Sequence, residues 1–195
     1  MKRRGRINRK TRETAIRLGL DLAGGRAPDV RTAVPFLDHM LVLMSAHGGL
    51  GLFVRASGDT EVDDHHLAED LGICLGQALS RALGDRKGIR RYGSAVVPMD
   101  EALVMAAVDI SGRAHLSYGL KPGTSRIKGF DLGLVEEFLL GLVRNVPMTI
   151  HMVQFSGRNA HHVVEAGFKA LGRALGDAVA PGLRFRGVPS TKGRL

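Results

Sequence analysis

The motif HHxxE occurs twice in this chain, as His65-His66-Leu67-Ala68-Glu69 and again as His161-His162-Val163-Val164-Glu165. Both copies lie in stretches with helical spacing of apolar residues, and similar elements precede them. On a helix, residues i and i+4 share one face, whereas residues i and i+1 diverge by about 100°. The first histidine and the glutamate of each copy can therefore bind one metal ion, which leaves the second histidine for another ion.

The duplication of this motif predicts two metal sites related by an approximate two-fold axis within the chain. Imidazole and carboxylate ligands together suit Zn, Mn, Fe or Ni. A histidine pair on a helix is common by chance, and a lone histidine on an apolar face is usually a core residue. Two copies with the same glutamate offset, in matching contexts, favour metal binding instead.

The predicted elements also repeat in the same order, with about ninety residues in each half. In both halves, a run of strands precedes a helix, a strand and the long HHxxE helix. Strands in runs, without strict βαβ alternation, are typical of an α+β fold. We therefore predict two similar halves, each with a mixed sheet and two helices on one face. The first repeat, with a basic N-terminal arm, covers 1–90, and the second, with a phosphate-binding tail, covers 91–195, in one compact unit.

The repeat also suggests two further metal ligands. His39 lies 26 residues before His65, and Glu137 lies 24 residues before His161, and each falls in the helix that precedes the strand. The two residues are therefore candidates for equivalent positions. His151 has Arg55 as its counterpart and ranks below Glu137 as a ligand.

The net charge of +9 is concentrated at the N-terminus. Residues 1–17 contain eight Lys and Arg and a single acid, Glu13. A basic arm of this kind can bind nucleic acid. We favour a solvated terminus or a strand edge protected by charge, because no aromatic residue interleaves the basic ones. No nucleic-acid partner is expected.

The remaining composition predicts a cytoplasmic globular protein. The single cysteine, Cys74, cannot form an internal disulfide and fits a reducing compartment. No apolar signal segment follows the basic start, and no run of apolar residues is long enough to span a membrane.

A second group of candidate residues is cationic and suits a phosphate. Its members are Arg91, Arg113, Lys169, Ser190 and Lys192. A loop of Ser, Thr, Lys and Gly with free amides, as at 190–193, can hold a phosphate. Lys169 lies eight residues after His161 and about 80° around the same helix, so it can meet a substrate whose other end touches metal. His47 is a further candidate substrate contact, although packing at a helix end explains it equally well.

Taken in order along the chain, these segments resemble the imidazoleglycerol-phosphate dehydratase family. The resemblance covers nearly the whole sequence and is carried by these motifs: Arg9-x-Thr11-x-Glu13-Thr14, Phe36-Leu37-Asp38-His39-Met40, Asp63-Asp64-His65-His66-Leu67-Ala68-Glu69-Asp70, Gly84-Asp85-Arg86-Lys87-Gly88-Ile89, Pro98-Met99-Asp100-Glu101-Ala102, Asp109-Ile110-Ser111-Gly112-Arg113, Asn159-Ala160-His161-His162-x-x-Glu165-Ala166-x-Phe168-Lys169-Ala170 and Pro189-Ser190-Thr191-Lys192-Gly193.

The resemblance implies a dimanganese hydro-lyase of histidine biosynthesis. Such an enzyme dehydrates D-erythro-imidazole-glycerol phosphate to imidazole-acetol phosphate. The resemblance also implies trimers that assemble into a twenty-four-subunit shell with active sites at subunit interfaces. No fused phosphatase domain is visible, which favours the monofunctional bacterial-type form.

The resemblance further implies roles for individual residues. Glu13 resembles a substrate-contacting carboxylate, and we interpret it as a proton-transfer group, with Glu69 and Glu165 as the other catalytic carboxylates. Two positions depart from the family pattern. Glu137 stands where many relatives have histidine, and Leu43 stands about where relatives often carry glutamine. The first departure bears on the preferred metal, and the second on a substrate contact.

The helical geometry also predicts how the ligands divide between two ions. One ion takes His65, Glu69, His162 and Glu137, and the other takes His161, Glu165, His66 and His39. The resemblance adds that the two motifs at one site come from different subunits. Two other classes of function stay open: a dinuclear metallohydrolase with the same ligands, and a basic RNA-binding module whose metal sites are structural.

Overall fold

The computed structural model of the chain describes residues 3–182 and 187–190. The described residues form ten strands and four helices. The strands are β1 (Arg4–Lys10), β2 (Thr14–Asp21), β3 (Asp29–Arg31), β4 (Gly51–Gly58), β5 (Tyr92–Met99), β6 (Ala102–Asp109), β7 (His115–Gly119), β8 (Arg126–Ile127), β9 (Phe130–Asp131) and β10 (Thr149–Ser156). The helices are α1 (Pro35–Gly48), α2 (His65–Leu83), α3 (Leu134–Asn145) and α4 (Ala160–Val179).

The two large sheets have the same topology, which confirms the predicted duplication. Their strand orders are β1-β2-β4-β3 and β5-β6-β10-β7. In each sheet the last two strands run parallel and the other neighbours run antiparallel. The α+β class is confirmed with them. Alternate residues of the strands point inward, as the buried Ile16 and Leu18 do in β2.

Two of the four helices pack on a helix of the other half. Helix α2 packs on strands β1 and β2 of its own half, and α4 packs on β5 and β6 of its own half. Helix α1, however, packs on α4 of the second half, and α3 packs on α2 of the first half. Buried apolar residues of both halves therefore form one core. The boundary after residue 90 stays a prediction.

Two elements of the fold add to the predicted strands. Residues 4–10 form the edge strand β1, so the interpretation as a strand edge protected by charge holds for this part of the basic arm. The small β8–β9 hairpin between β7 and α3 was also not predicted, because two-residue strands leave no detectable alternation. No helix among the described residues has the length and apolar character needed to cross a lipid bilayer.

Candidate metal and active site

Three predicted ligands come together where α1 packs on α4. Nε2 of His161 lies 3.0 Å from Oε2 of Glu165, and Nε2 of His39 lies 3.3 Å from the same oxygen. One ligand atom from each of the three residues lies within 4.8 Å of the others. Two imidazole nitrogens and a carboxylate at these separations fit a first-row divalent ion. It is the only group of three such side chains among the residues that the structure describes.

The carboxylate at the centre of this group is buried and held on both oxygens. Oε1 of Glu165 accepts a hydrogen bond from Nζ of Lys169, one helical turn further along α4, at 2.6 Å. Burial raises the pKa of Glu165, but the hydrogen bonds from Lys169 and His39 outweigh it, so the pKa lies below its ordinary value. Glu165 is therefore ionised at neutral pH, as a metal ligand must be.

An aromatic wall encloses one side of the cluster. The ring of Phe36, in the first turn of α1, meets His161 edge-on at a centroid distance of 5.6 Å. Phe130 lies behind Phe36 at 5.2 Å. The sequence places Phe36 in the segment Phe36-Leu37-Asp38-His39-Met40 but does not predict its contact with His161. Its contact restricts the orientation of the His161 ring.

The first HHxxE copy lies apart from this cluster. Nδ1 of His66 lies 3.0 Å from Oδ2 of Asp59, and its Nε2 lies 3.9 Å from Oε1 of the exposed Glu13. The ring of His65 lies beside His66, with centroids 6.1 Å apart, and Glu69 is half-buried one turn later. Glu137 is half-buried on α3, the helix that packs on α2. Within the described chain, these residues do not gather into a three-ligand group.

His162 is held by a second carboxylate in the same way as His66. Its Nδ1 lies 2.8 Å from Oε2 of Glu101. Oε1 of the same carboxylate accepts hydrogen bonds from the backbone N–H groups of Arg158 and Asn159. These contacts, led by the one with His162, lower the pKa of Glu101 to about 2. An ionised carboxylate only accepts hydrogen bonds, so Nδ1 of His162 must be the donor. For His66, the hydrogen bond with Asp59 raises the pKa of the ring, as expected when Nδ1–H is the donor.

Both second histidines of the motifs are therefore oriented alike. Nδ1 is held by a carboxylate, and Nε2 faces a more distant one, Glu13 at 3.9 Å from His66 and Asp100 at 3.8 Å from His162. At these distances Nε2 makes no hydrogen bond to the carboxylate, so it can bind an ion. Carboxylates that hold metal-binding imidazoles in this way are common behind metal sites. The sequence did not predict Asp59 and Glu101 as partners of these histidines, although Glu101 lies within the segment Pro98-Met99-Asp100-Glu101-Ala102. They occupy loops at unrelated distances from the histidines, so the repeat gave no signal for them.

Replacing Glu101 with glutamine is expected to weaken metal binding about tenfold, because the His162 ring loses its ionised acceptor and its fixed tautomer. Isothermal titration of the metal-free protein with Mn²⁺ measures the change. Replacing the exposed Glu61 with glutamine is the matched control, and affinity there should stay at the wild-type value. Equal affinity in the Glu101 variant and the wild type would show that this carboxylate only caps α4.

The predicted phosphate-binding residues divide between two ends of the second sheet. Lys169 lies at the metal end, where its Nζ is 3.6 Å from the sulfur of Met99. Arg91 lies at the other end, before β5, and makes a two-pronged ion pair with Asp109 at 2.7 and 3.1 Å. Strand β5 separates these ends by about 20 Å. One chain therefore does not bring all the predicted cations to one small ligand.

The remaining predicted contacts follow this division. Arg113 is exposed, three residues after Ile110, whose backbone N–H donates to the carbonyl oxygen of Arg91. Nη1 of Arg91 donates to the carbonyl oxygen of Pro189, next to Ser190. His47 lies near Lys169 at the metal end. Burial lowers its pKa, and the positive charges of Lys169 and Arg173 lower it further. Lys192 lies outside the described residues.

Comparison with known proteins identifies the family. The family model described as imidazoleglycerol-phosphate dehydratase matches residues 32–175. The chain belongs to the imidazoleglycerol-phosphate dehydratase family. A curated imidazoleglycerol-phosphate dehydratase from Moorella thermoacetica is 54% identical over 195 residues, with 100% of both chains covered. One from Bacillus subtilis is 51% identical over 187 residues and covers 96% of each chain.

Solved imidazoleglycerol-phosphate dehydratases have the same fold. The crystal structure from Staphylococcus aureus subsp. aureus N315 is similar with a TM-score of 0.83 and 39% identity, covering 91% of this chain and 99% of the other. The structure from Pyrococcus furiosus in complex with (S)-C348 gives a TM-score of 0.82 and 39% identity, covering 97% and 100%. As an imidazoleglycerol-phosphate dehydratase by family, the protein is an enzyme of the hydro-lyase class.

Proposed function

We propose that this enzyme dehydrates D-erythro-imidazole-glycerol phosphate to imidazole-acetol phosphate in the cytoplasm, using two Mn²⁺ per active site. The observation that carries the proposal is the His39–His161–Glu165 group in a chain of this family. Its nitrogen and carboxylate donors fit one ion, which we assign to these three residues and His66. We assign His65, Glu69, His162 and Glu137 to the other ion.

The chemistry follows from the substrate and the product. The product has a methylene beside the ring and a ketone on the next carbon. The hydroxyl therefore leaves from the carbon attached to the ring, a proton leaves from the neighbouring carbon, and the resulting enol becomes the ketone. When bound, the metal ions act as Lewis acids that polarise the imidazole ring and orient it.

The carboxylates supply the proton transfers. Glu13 is exposed beside His66, with 3.9 Å between its Oε1 and Nε2 of that ring. It can therefore approach a substrate held at the second histidine, and we assign it proton transfer. We assign Glu69 and Glu165 a second role besides metal binding. Next to the imidazole ring of the substrate, their negative charges hold a proton or a cation in place. Lys169, beside Glu165, is placed to meet the phosphate end of the substrate.

The division of the cations supports active sites shared between subunits. A phosphate clamp of Arg91, Arg113 and Ser190 lies about 20 Å along β5 from the histidine cluster, too far for one small substrate. We propose that a second copy supplies the missing end, together with His66 or His162 as the fourth ligand. Twenty-four subunits with such shared sites are the assembly that we propose.

The deciding assay supplies purified protein and Mn²⁺ with imidazole-glycerol phosphate. We expect an enolisable ketone to form, with no release of inorganic phosphate. EDTA should stop the reaction, and restored Mn²⁺ should restart it. Phosphate release without the ketone would favour a metallohydrolase instead, and turnover that persists in EDTA would contradict the metal assignment.

Replacing Lys169 or Arg113 with alanine is expected to raise KM for the phosphorylated substrate with little change in kcat. A clamp that binds the substrate and the transition state alike contributes to KM only. Steady-state kinetics on both variants measure the two parameters. A fall in kcat for Lys169→Ala alone would mean that this lysine serves Glu165, and unchanged KM in both variants would place the phosphate elsewhere.

Removing the metal is expected to dissociate the assembly. If each site takes ligands from two subunits, metal stabilises only the assembled form, and assembly depends on free metal by mass action. Light scattering in EDTA, and then with Mn²⁺ restored, measures the particle size. Loss of activity in EDTA with no change in size, at neutral and mildly acidic pH, would show that the metals serve catalysis alone.

Acid should act like a chelator in the same experiment. The hydrogen bond with Asp59 raises the pKa of His66 above 6.5, and the hydrogen bond with Glu101 does the same for His162. Both rings therefore stay protonated to a higher pH than free histidine, and metal should be lost as the pH falls toward about 5. These ion pairs stabilise the metal-free fold below pH 6.5 and lose their effect as the pH rises through the raised pKa.

A further inference from the structure

Arginines from three neighbouring strands form a row across the outer face of the first sheet. Arg17 on β2 is directly opposite Arg55 on β4, and Arg31 on β3 is opposite Arg55 on its other side. Directly opposed residues have Cβ atoms about 5 Å apart, and like charges in that arrangement repel each other. The row is therefore unfavourable unless anions lie close to it.

Among the described residues, only one member of the row forms an ion pair. Arg55 forms an ion pair with Asp29 at 2.6 Å, and its guanidinium carbon lies 4.7 Å from the ring centre of Phe53. Arg17 and Arg31 have no carboxylate within ion-pair distance among residues 3–182 and 187–190. Arg17 and Arg31 therefore have no ion-pair partner among the described residues, although the positive charge of Arg31 helps to lower the pKa of Asp29.

Most of the other charged residues on this face are also cations. The outward-facing charged residues of its four strands are six cations and two carboxylates: Arg4, Arg6, Lys10, Arg17, Arg31 and Arg55, with Asp21 and Asp29. Two adjoining hollows, of about 840 and 380 Å³, lie on the face, and Asn8 and Arg17 line both. A concave surface of one sign raises the local concentration of oppositely charged ligands.

We propose that this face, with the row of Arg17, Arg55 and Arg31 at its centre, binds an anion rich in phosphate groups. Guanidinium groups bind phosphate oxygens through paired hydrogen bonds. Neighbouring strands lie about 4.8 Å apart, so Arg17, Arg55 and Arg31 span about 10 Å, which suits linked phosphates better than one carboxylate. Helix α2 covers the opposite, inner face of the sheet. The proposal therefore does not depend on the dehydratase site.

Linked phosphates of this kind occur in free polyphosphates and in the backbone of nucleic acids. The fold adds an aromatic surface that the linear sequence did not reveal. Phe53, 43% exposed, lies in register with Gly19, which is itself in register with Arg6. A nucleic acid can stack a base on such a ring, whereas a polyphosphate gains nothing from it.

The test is calorimetric titration of the full-length protein with tripolyphosphate. Arg17→Glu should weaken binding at least about tenfold, since charge-assisted phosphate contacts are among the strong ones. Arg144→Glu makes the same charge change at an exposed position on α3 and should leave affinity within about twofold of the wild type. Circular dichroism and the thermal midpoint of each variant check that it is folded.

A parallel titration with fluorescent oligothymidylate, followed by anisotropy, separates the two sources. Oligothymidylate binding that is lost in Phe53→Ala, with tripolyphosphate binding intact, would assign the row to nucleic acid. Binding of tripolyphosphate with no binding of oligothymidylate would assign it to free polyphosphates. Binding of both probes that does not depend on Phe53 would support a site for linked phosphates from either source. Equal losses in Arg17→Glu and Arg144→Glu, or no binding of either probe, would overturn the proposal. A change in particle size for Arg17→Glu would also overturn it, because the face would then contact another copy of the chain.

Discussion

Replacing Glu165 with glutamine is expected to lower kcat/KM for dehydration by at least about 100-fold. Loss of a direct ligand should cost at least as much as the upper end of the about 10–100-fold losses seen when groups behind a metal are removed. Glu165 is only 6% exposed. Nε2 of His39 and Nε2 of His161 both lie within hydrogen-bond distance of its Oε2. A glutamine has nearly the same shape, but it brings no negative charge and turns an N–H group toward one neighbour. The variant should therefore fold while it binds Mn²⁺ poorly.

Two measurements on the Glu165 variant separate metal loss from a catalytic defect. Calorimetric titration gives its affinity for Mn²⁺, and saturating Mn²⁺ in the assay shows how much activity returns. The exposed Glu61→Gln, with the same change of side chain outside the cluster, should keep full activity. Wild-type affinity and rate in the Glu165 variant would remove this residue from the site.

The sequence predicted the i,i+4 geometry of the second motif but not the helix that completes the cluster. The pairing of His161 with Glu165 follows from the helical period alone. The position of His39 beside them depends on α1 of one half packing on α4 of the other. Periodicity assigns residues to a face of a helix, and it does not say which helix that face meets. Three of the four residues assigned to one ion lie together here, and the full grouping stays a prediction.

Long-range pairings explain what the sequence could not locate. Asp59 precedes His66 by 7 residues, whereas Glu101 precedes His162 by 61. Two carboxylates with the same role at such different offsets cannot be found by aligning the halves. The halves reached their shared fold through matching hydrophobic patterns, but each half holds its second histidine from a different loop.

Backbone contact between helices suggests how the cluster is held, and it leads to the prediction with the largest effect on stability. A Cβ atom added at Gly172 of α4 would lie 2.2 Å from the carbonyl oxygen of Met44 in α1. A Cβ at Gly72 of α2 would lie 2.1 Å from the carbonyl oxygen of Phe138 in α3. Both distances are far below contact, and the neighbour is backbone, so the helices must move apart.

Gly172→Ala and Gly72→Ala should therefore each lower the free energy of unfolding by about 1–3 kcal/mol, as overpacked cores do. Urea denaturation measures this loss. Gly129→Ala is the control, because nothing lies within 4 Å of its added Cβ. A Gly172 or Gly72 variant as stable as the Gly129 variant would mean that the helix pair adjusts at no cost.

The two variants should differ in what they do to the metal. Only Gly172→Ala pushes α1 away from α4, and it thereby moves His39 away from His161 and Glu165. Removing His39 should therefore cost less Mn²⁺ affinity in that background. The measurement is a double-mutant cycle: the loss of Mn²⁺ affinity caused by His39→Ala, determined by calorimetry in each glycine variant. We expect the full loss with Gly72→Ala and a smaller loss with Gly172→Ala. A displaced His39 cannot contribute as much to metal binding as one in place. Equal losses in both backgrounds would therefore show that the close contact of α1 with α4 stabilises the fold without positioning the ligand.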